Sequence, residues 1–172
     1  MIRLVTLETY EDKALEKLQK TLYTAFGVGC EHSADLKMPA GHPVPLDAEA
    51  LLKDVEGVRA YQDDKLLYLT PQKLKDRVLA SGTVPTPGFC FYNQTRALIS
   101  TYGVKDLEED SGQKIIGRHA MHQLGHLWEL HHCLDPRCSM YPPWTLAYNT
   151  GDSTFCNFCR DKSEQKIRLA KS

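Results

Sequence analysis

The chain has 172 residues, 42% of them apolar and 25% charged, with a formal net charge of -1. That length fits one domain with a respectable core, and that composition is of an ordinary globular protein, not a disordered chain. The near-zero charge argues against binding nucleic acid by phosphate neutralisation, and no apolar run approaches the roughly 20 residues of a membrane span.

Residues 2–7 alternate as a strand does, and the apolar stretch is too short for a signal peptide. An acidic cluster follows, and Thr9 is placed to cap a helix whose first turn carries Glu11 and Asp12. Leu15, Leu18, Leu22 and Phe26 then recur at helical spacing, with Gly27 as a natural C-terminal stop. That stripe reads as core. A second strand over 28–36 makes a βαβ opening, which implies a parallel pair.

Residues 38–45 hold three prolines and read as a loop, in which His42 is a surface histidine. Residues 48–61 look weakly helical, 66–70 form a buried strand, and 71–81 are a helix or a long excursion. Residues 82–88 read as another loop. Two short strands follow, 89–93 and 97–102, with a turn at 93–96. Cys30 and Cys90 read as small buried hydrophobes. A charged loop at 106–110 leads to a helix from Ser111 with Ile115, Ile116, Ala120, Leu124 and Leu127 on its apolar side.

That helix runs into the stretch that dominates the chain. Five of the seven histidines and four of the six cysteines lie between His119 and Cys159. His122 and His126 are four apart, so on a helix they share a face at the spacing that lets two imidazoles hold one zinc ion. His132 is the third candidate, reached after the chain turns back. His119 sits about 10 Å along the axis from His126 and reads as a supporting or packing residue. His131 is a possible substitute for its neighbour. Cys133 with Cys138, and Cys156 with Cys159, form two close pairs, the usual format of a closed zinc site made of four cysteines. With no secretion signal in view, six cysteines also suggest a reducing, cytoplasmic setting.

The run resembles the metzincin pattern His-Glu-x-x-His-x-x-Gly-x-x-His. Cysteine directly after the third histidine, then Cys138, the Cys-x-Met step to Met140, and Cys156-x-x-Cys159 narrow the likeness to the archaemetzincin family of zinc metallopeptidases. The likeness is clear over about 40 residues. It implies a mixed α/β, metzincin-like domain over 1–172, with an N-terminal subdomain (about 1–129) holding a twisted sheet and the histidine helix. A small zinc-stapled C-terminal subdomain would follow. By position, it assigns His122, His126 and His132 to a catalytic-type zinc, and Cys133, Cys138, Cys156 and Cys159 to a structural zinc. Met140 becomes the methionine of the turn beneath the metal. Two Zn2+ per chain are expected.

Two positions depart from the family pattern. Gln123 stands where the general-base glutamate belongs, and an amide cannot take the proton that a carboxylate would, a loss worth about 10²–10⁴ in rate. Glu129 stands where the glycine belongs, so either it takes up a left-handed conformation at a cost of roughly 1–2 kcal/mol or the turn is built differently. In the second case a continuing helix would aim Glu129 at the metal as a substitute base or ligand.

Three functions are compatible with these residues. One is a zinc metallopeptidase, impaired by Gln123, that aligns a peptide along an edge strand within 89–102, with Tyr141 as a candidate oxyanion donor. Another is an inactive relative that binds a peptide or protein. A third is a structural zinc protein whose four-cysteine knuckle docks a macromolecule. A final basic helix over 162–171 reads as a solvated face.

Overall fold

The computed structural model describes residues 1–55, 61, 63–80, 82–143 and 153–170. The apolar pattern of each strand places its residues on two faces of one sheet. In β1 (Ile2–Thr6) Ile2 and Leu4 face one way, while Val5 and, just beyond the strand, Leu7 face the other. β3 (Lys65–Thr70) repeats this with Leu67 and Leu69 against Leu66 and Tyr68, and β7 (Arg96–Ser100) with Ala97 and Ile99 against Leu98. Strands buried on both faces read as continuous apolar runs, which is why 66–70 carries no polar alternation.

The sheet order is β2-β1-β3-β7-β6, with β2 at Cys30–Asp35 and β6 at Gly88–Cys90. The first four strands are parallel, and β6 runs antiparallel to β7 as one edge. Helices α1 (Asp12–Phe26) and α3 (Asp110–Leu127) pack on one face, and the short α2 (Ala48–Asp54) covers the other with Leu51 and Leu52. α4 (Asn157–Ala170) joins the first core through Cys159 and Ile167. Phe26, Trp128 and Phe155 meet where α1, the end of α3 and the segment before α4 converge, with Phe26 4.6 Å from Trp128 and 5.3 Å from Phe155 between ring centroids. The mixed α/β architecture expected from the sequence is therefore present.

Several local expectations need correction. Thr9 caps nothing: α1 starts at Asp12, and Glu11 occupies the N-cap position without a side-chain bond. The chain stays extended there because Tyr10 packs against the core and its hydroxyl meets Thr101 Oγ1 at 3.0 Å. Gly27 does end α1 in the left-handed region, its N–H on the Tyr23 carbonyl at 2.8 Å. α2 stops at Asp54, with Val55 extended, and 56–60 fall outside the described residues. The described parts of these two segments, 71–80 and 82–88, are neither helix nor plain loop. They form a hairpin of β4 (Arg77–Leu79) and β5 (Gly82–Val84), in register at Val78 and Thr83. The last helix begins inside the cysteine pair, five residues before the expected start at 162. No helix among the described residues is long and apolar enough to cross a membrane.

Candidate metal centres

α3 carries His122 and His126 on the face turned towards the end of the sheet where β6 lies, and one turn of helix sets their rings edge to face with centroids 4.7 Å apart. The Nδ1 of His122 lies 2.8 Å from the Ser139 carbonyl, and that of His126 lies 2.8 Å from the Leu130 carbonyl. A carbonyl only accepts, so both Nδ1 atoms carry the hydrogen and both Nε2 atoms present lone pairs. Those Nε2 atoms stand 3.1 Å apart. Two lone pairs so close, each ring fixed by a backbone acceptor behind it, suit a cation and are otherwise unfavourable. His132 completes the group, with centroids 5.3 Å from His122 and 5.0 Å from His126, and the three ligand atoms lie within 4.8 Å of one another.

Burial and neighbouring imidazoles hold His122 well below the usual histidine range. Burial also lowers His126, to about 4, and lowers His132, where the nearby Arg77 charge adds to the effect. All three are neutral at pH 7, the form that binds metal. His119 stays outside the group. It is buried, hydrogen-bonded to the Ser100 backbone, and lowered by burial to about 4. His131 points elsewhere, stacking on Tyr92 at 5.0 Å. The choice between His131 and His132 falls to His132.

The turn that returns the chain to His132 is a Schellman closure of α3. The Leu130 N–H reaches the Gly125 carbonyl at 2.9 Å and the Glu129 N–H reaches the His126 carbonyl at 3.1 Å. Glu129 sits at φ 60, in the left-handed region usually given to glycine. Its carboxylate turns away from the histidines to pair with Lys166 of α4, which together with the Lys65 and Lys162 charges holds it below the ordinary carboxylate range. The idea of Glu129 as a substitute base or ligand is thus overturned, because the helix ends before it could face inward.

Met140 is wholly buried against α3 at Gly125, which lies between His122 and His126 in the helix. The loop that delivers it is pinned by Arg118, a buried residue that no sequence pattern singles out. Its guanidinium donates to the carbonyls of Pro136 (2.8 Å), Arg137 (3.1 Å) and Cys138 (2.8 Å).

Cys133, Cys138, Cys156 and Cys159 form the second group, their sulfurs within 4.8 Å of one another. Cys138 Sγ accepts from the Met140 and Cys156 N–H groups at 3.5 and 3.4 Å, and Cys133 Sγ from that of Asp135 at 3.4 Å. Burial pushes Cys138 up to about 11 and raises Cys159, whereas donors from the other cysteines outweigh burial and lower Cys156. Amide donors aimed at crowded sulfurs fit thiolates around a cation, and four sulfurs with no open position fit a structural tetrahedral metal.

A cavity of about 460 Å³ opens onto the histidines. The whole of β6 lines it, together with Gln123, Tyr92, Lys75 and Arg77. Gln123 is 5% exposed, and a Cβ on Gly88 would come within 3.0 Å of its Cγ, so edge strand and glutamine are in close contact. Tyr141 is not among the lining residues; among the described residues Tyr92 is the phenol at this cavity. Among the described residues the carboxylates there are Asp47 and Glu49. Asp47 accepts from the Ala50 N–H at 3.0 Å and faces Lys75, and Glu49 pairs with Lys53 at 2.7 Å.

Comparison of the sequence with protein-family models and with curated proteins gives no match. Solved structures do match. An archaemetzincin from Methanopyrus kandleri superposes with a TM-score of 0.76 at 19% identity, covering 97% of this chain and 94% of that one. The chain has the archaemetzincin fold. An archaemetzincin from Archaeoglobus fulgidus, complexed with malonate, gives 0.72 at 16% identity over 94% and 99% of the two chains. A zinc-dependent peptidase from Methanocorpusculum labreanum gives 0.71 at 19% identity over 95% and 100%. The archaemetzincin fold thus spans nearly the whole chain, including the segments carrying both ligand groups.

Proposed function

We propose that this protein is a zinc metallopeptidase-like hydrolase of archaemetzincin type, acting on a peptide or protein, in which the hydrolytic step is impaired by Gln123. The observation that carries the reading is the convergence of His122, His126 and His132 on one point at the floor of a cavity edged by β6. Zinc held there would supply Lewis-acid polarisation of a carbonyl and a lowered pKa for water. The second zinc, at Cys133, Cys138, Cys156 and Cys159, would tie the loop after α3 to α4, and its four thiols fit a reducing cytoplasmic location.

The chain's own residues would perform the rest. β6 is the sheet edge, so its unpaired backbone groups can align an extended peptide beside the histidines. Ser139 and Leu130 carbonyls fix the two ring orientations, and Met140 supports the floor. Gln123 can orient a substrate or water by hydrogen bonds but cannot accept a proton, which costs about 10²–10⁴ in rate. Asp47 and Glu49, the carboxylates among the described residues lining the cavity, are engaged by Lys75 and Lys53. The same fact favours a second reading, a peptide-binding relative without turnover.

Zinc per chain, measured by elemental analysis, separates these from a purely structural protein. Two equivalents, falling to one in His122→Ala and in His126→Ala, support a histidine site; one equivalent, unmoved by either change, would sink it. Chelator-sensitive peptide cleavage by Gln123→Glu, well above that of the unaltered chain, supports the hydrolase. Saturable, zinc-dependent peptide binding with no turnover in either form supports the binding relative.

A further inference from the structure

A glutamate in the left-handed region at the end of a metal-binding helix needs something to hold it there, and the surrounding contacts identify what does. Two elements grip this turn. From the β6–β7 turn, the Tyr92 hydroxyl donates to the Glu129 carbonyl at 2.8 Å, and the Asn93 N–H reaches the His126 carbonyl at 3.1 Å. With its hydrogen so used, the Tyr92 oxygen accepts from His131 Nε2 at 3.1 Å while the two rings stack. From α4, Lys166 Nζ binds the Glu129 carboxylate.

The same turn does two things for the histidines. Leu130, locked by its N–H on Gly125, offers its carbonyl to His126 Nδ1 and so sets that ring. Two residues later the chain presents His132. The helix that supplies Lys166 begins between Cys156 and Cys159, so it is anchored at the cysteine group.

We infer that Lys166 is a positioning residue of the histidine site. Through Glu129, and with Tyr92 on the opposite side, it holds the turn that orients His126 and delivers His132, so the cysteine-anchored helix sets metal affinity at the histidines. The ion pair stands in for the glycine: a left-handed conformation that glycine adopts freely is here selected by a cation reaching over from α4. The inference rests on the proposed zinc role of His122, His126 and His132.

The test measures zinc affinity at each site separately, by chelator competition and by the absorption spectrum of Co2+ in place of zinc. Lys166→Glu sets like charges against each other and should weaken the histidine site about tenfold, the scale of outer contacts to metal ligands, leaving the cysteine site unchanged. Lys166→Arg should restore affinity. In a Glu129→Gly background, where the backbone needs no clamp, Lys166→Glu should change histidine-site affinity less than twofold. In the metal-free protein, hydrogen exchange at the Leu130 amide should speed up in Lys166→Glu. Histidine-site affinity unchanged in Lys166→Glu, or a loss equally large in the Glu129→Gly background, would overturn this inference alone. An unaltered protein that takes no zinc at the histidines would overturn it together with the proposed function.

Discussion

Gly125 and Met140 are packed so closely that a Cβ at position 125 would stand 2.4 Å from the Met140 sulfur and 3.1 Å from its methyl carbon. The glycine lies between the two helical histidines, and Met140 has no exposure. The missing side chain at 125 is therefore what lets the methionine lie directly against α3.

Gly125→Ala should accordingly cost more than an alanine in a helix normally would. Helix propensity favours alanine by up to about 1 kcal/mol, but the overlap must be relieved by moving a fully buried side chain, at about 1–3 kcal/mol. Net destabilisation by denaturant titration is expected, with zinc lost first from the histidine site. Adding Met140→Ala should recover part of the loss, so the two changes should be clearly non-additive. Strict additivity would mean that the contact does not govern the site.

Arg118 invites a different substitution. Its three carbonyl acceptors lie in the segment 136–138 that carries Cys138 and leads to Met140. Arg118→Met removes the charge and leaves three carbonyls, that of Cys138 buried, without their donor, an expected loss of roughly 2–4 kcal/mol. Arg118→Lys should recover little, because an ammonium cannot reproduce the planar fork. Stability and cysteine-site zinc should fall together as chelator is added. A stable Arg118→Met that keeps both metals would show that the cysteine site organises the loop unaided.

What was legible in the sequence was what is local. The spacing of His122 and His126, the cysteine pairs and the stripe ending at Gly27 are fixed by helical periodicity and short-range ligand geometry, and each appears as expected. What was not legible depends on partners distant in sequence. Nothing near Arg118 announces the loop at 136–138 that it pins, and nothing near Tyr92 announces Glu129. The hairpin of β4 and β5 was missed because three-residue strands carry too little alternation to register. Glu129 shows the limit most clearly, since its identity argues for two opposite geometries and the contacts at its turn come from Tyr92, Asn93 and Lys166, all distant in sequence.

Acid should unfold the metal-free protein early. Burial lowers His119 to about 4, against an ordinary 6.5 in the unfolded chain, and His126 likewise. The unfolded state then takes up protons before the native state does. Stability is complete above about pH 6.5 and is lost as the pH falls towards 4, by roughly 3 kcal/mol for His119 alone. Urea midpoints of the chelator-treated protein should drop across that window, and His119→Gln should flatten the drop. A midpoint independent of pH across that window would contradict the burial of these rings.

Gly88 offers a test of the cavity that touches no ligand. A Cβ there would lie 2.6 Å from the Leu98 carbonyl and 3.1 Å from an Ile99 methyl, as well as against Gln123. The first of these belongs to the backbone of the neighbouring strand and cannot move aside cheaply. Gly88→Ala should therefore push β6 outward and displace Gln123, weakening peptide engagement several-fold while both metal sites keep their zinc. In a Gln123→Glu background the same change should lower turnover, because the carboxylate would be displaced from the histidines by the shift. Unchanged peptide binding in Gly88→Ala would mean that the peptide does not lie along β6, and the edge-strand alignment would have to be given up even if both zinc sites stood.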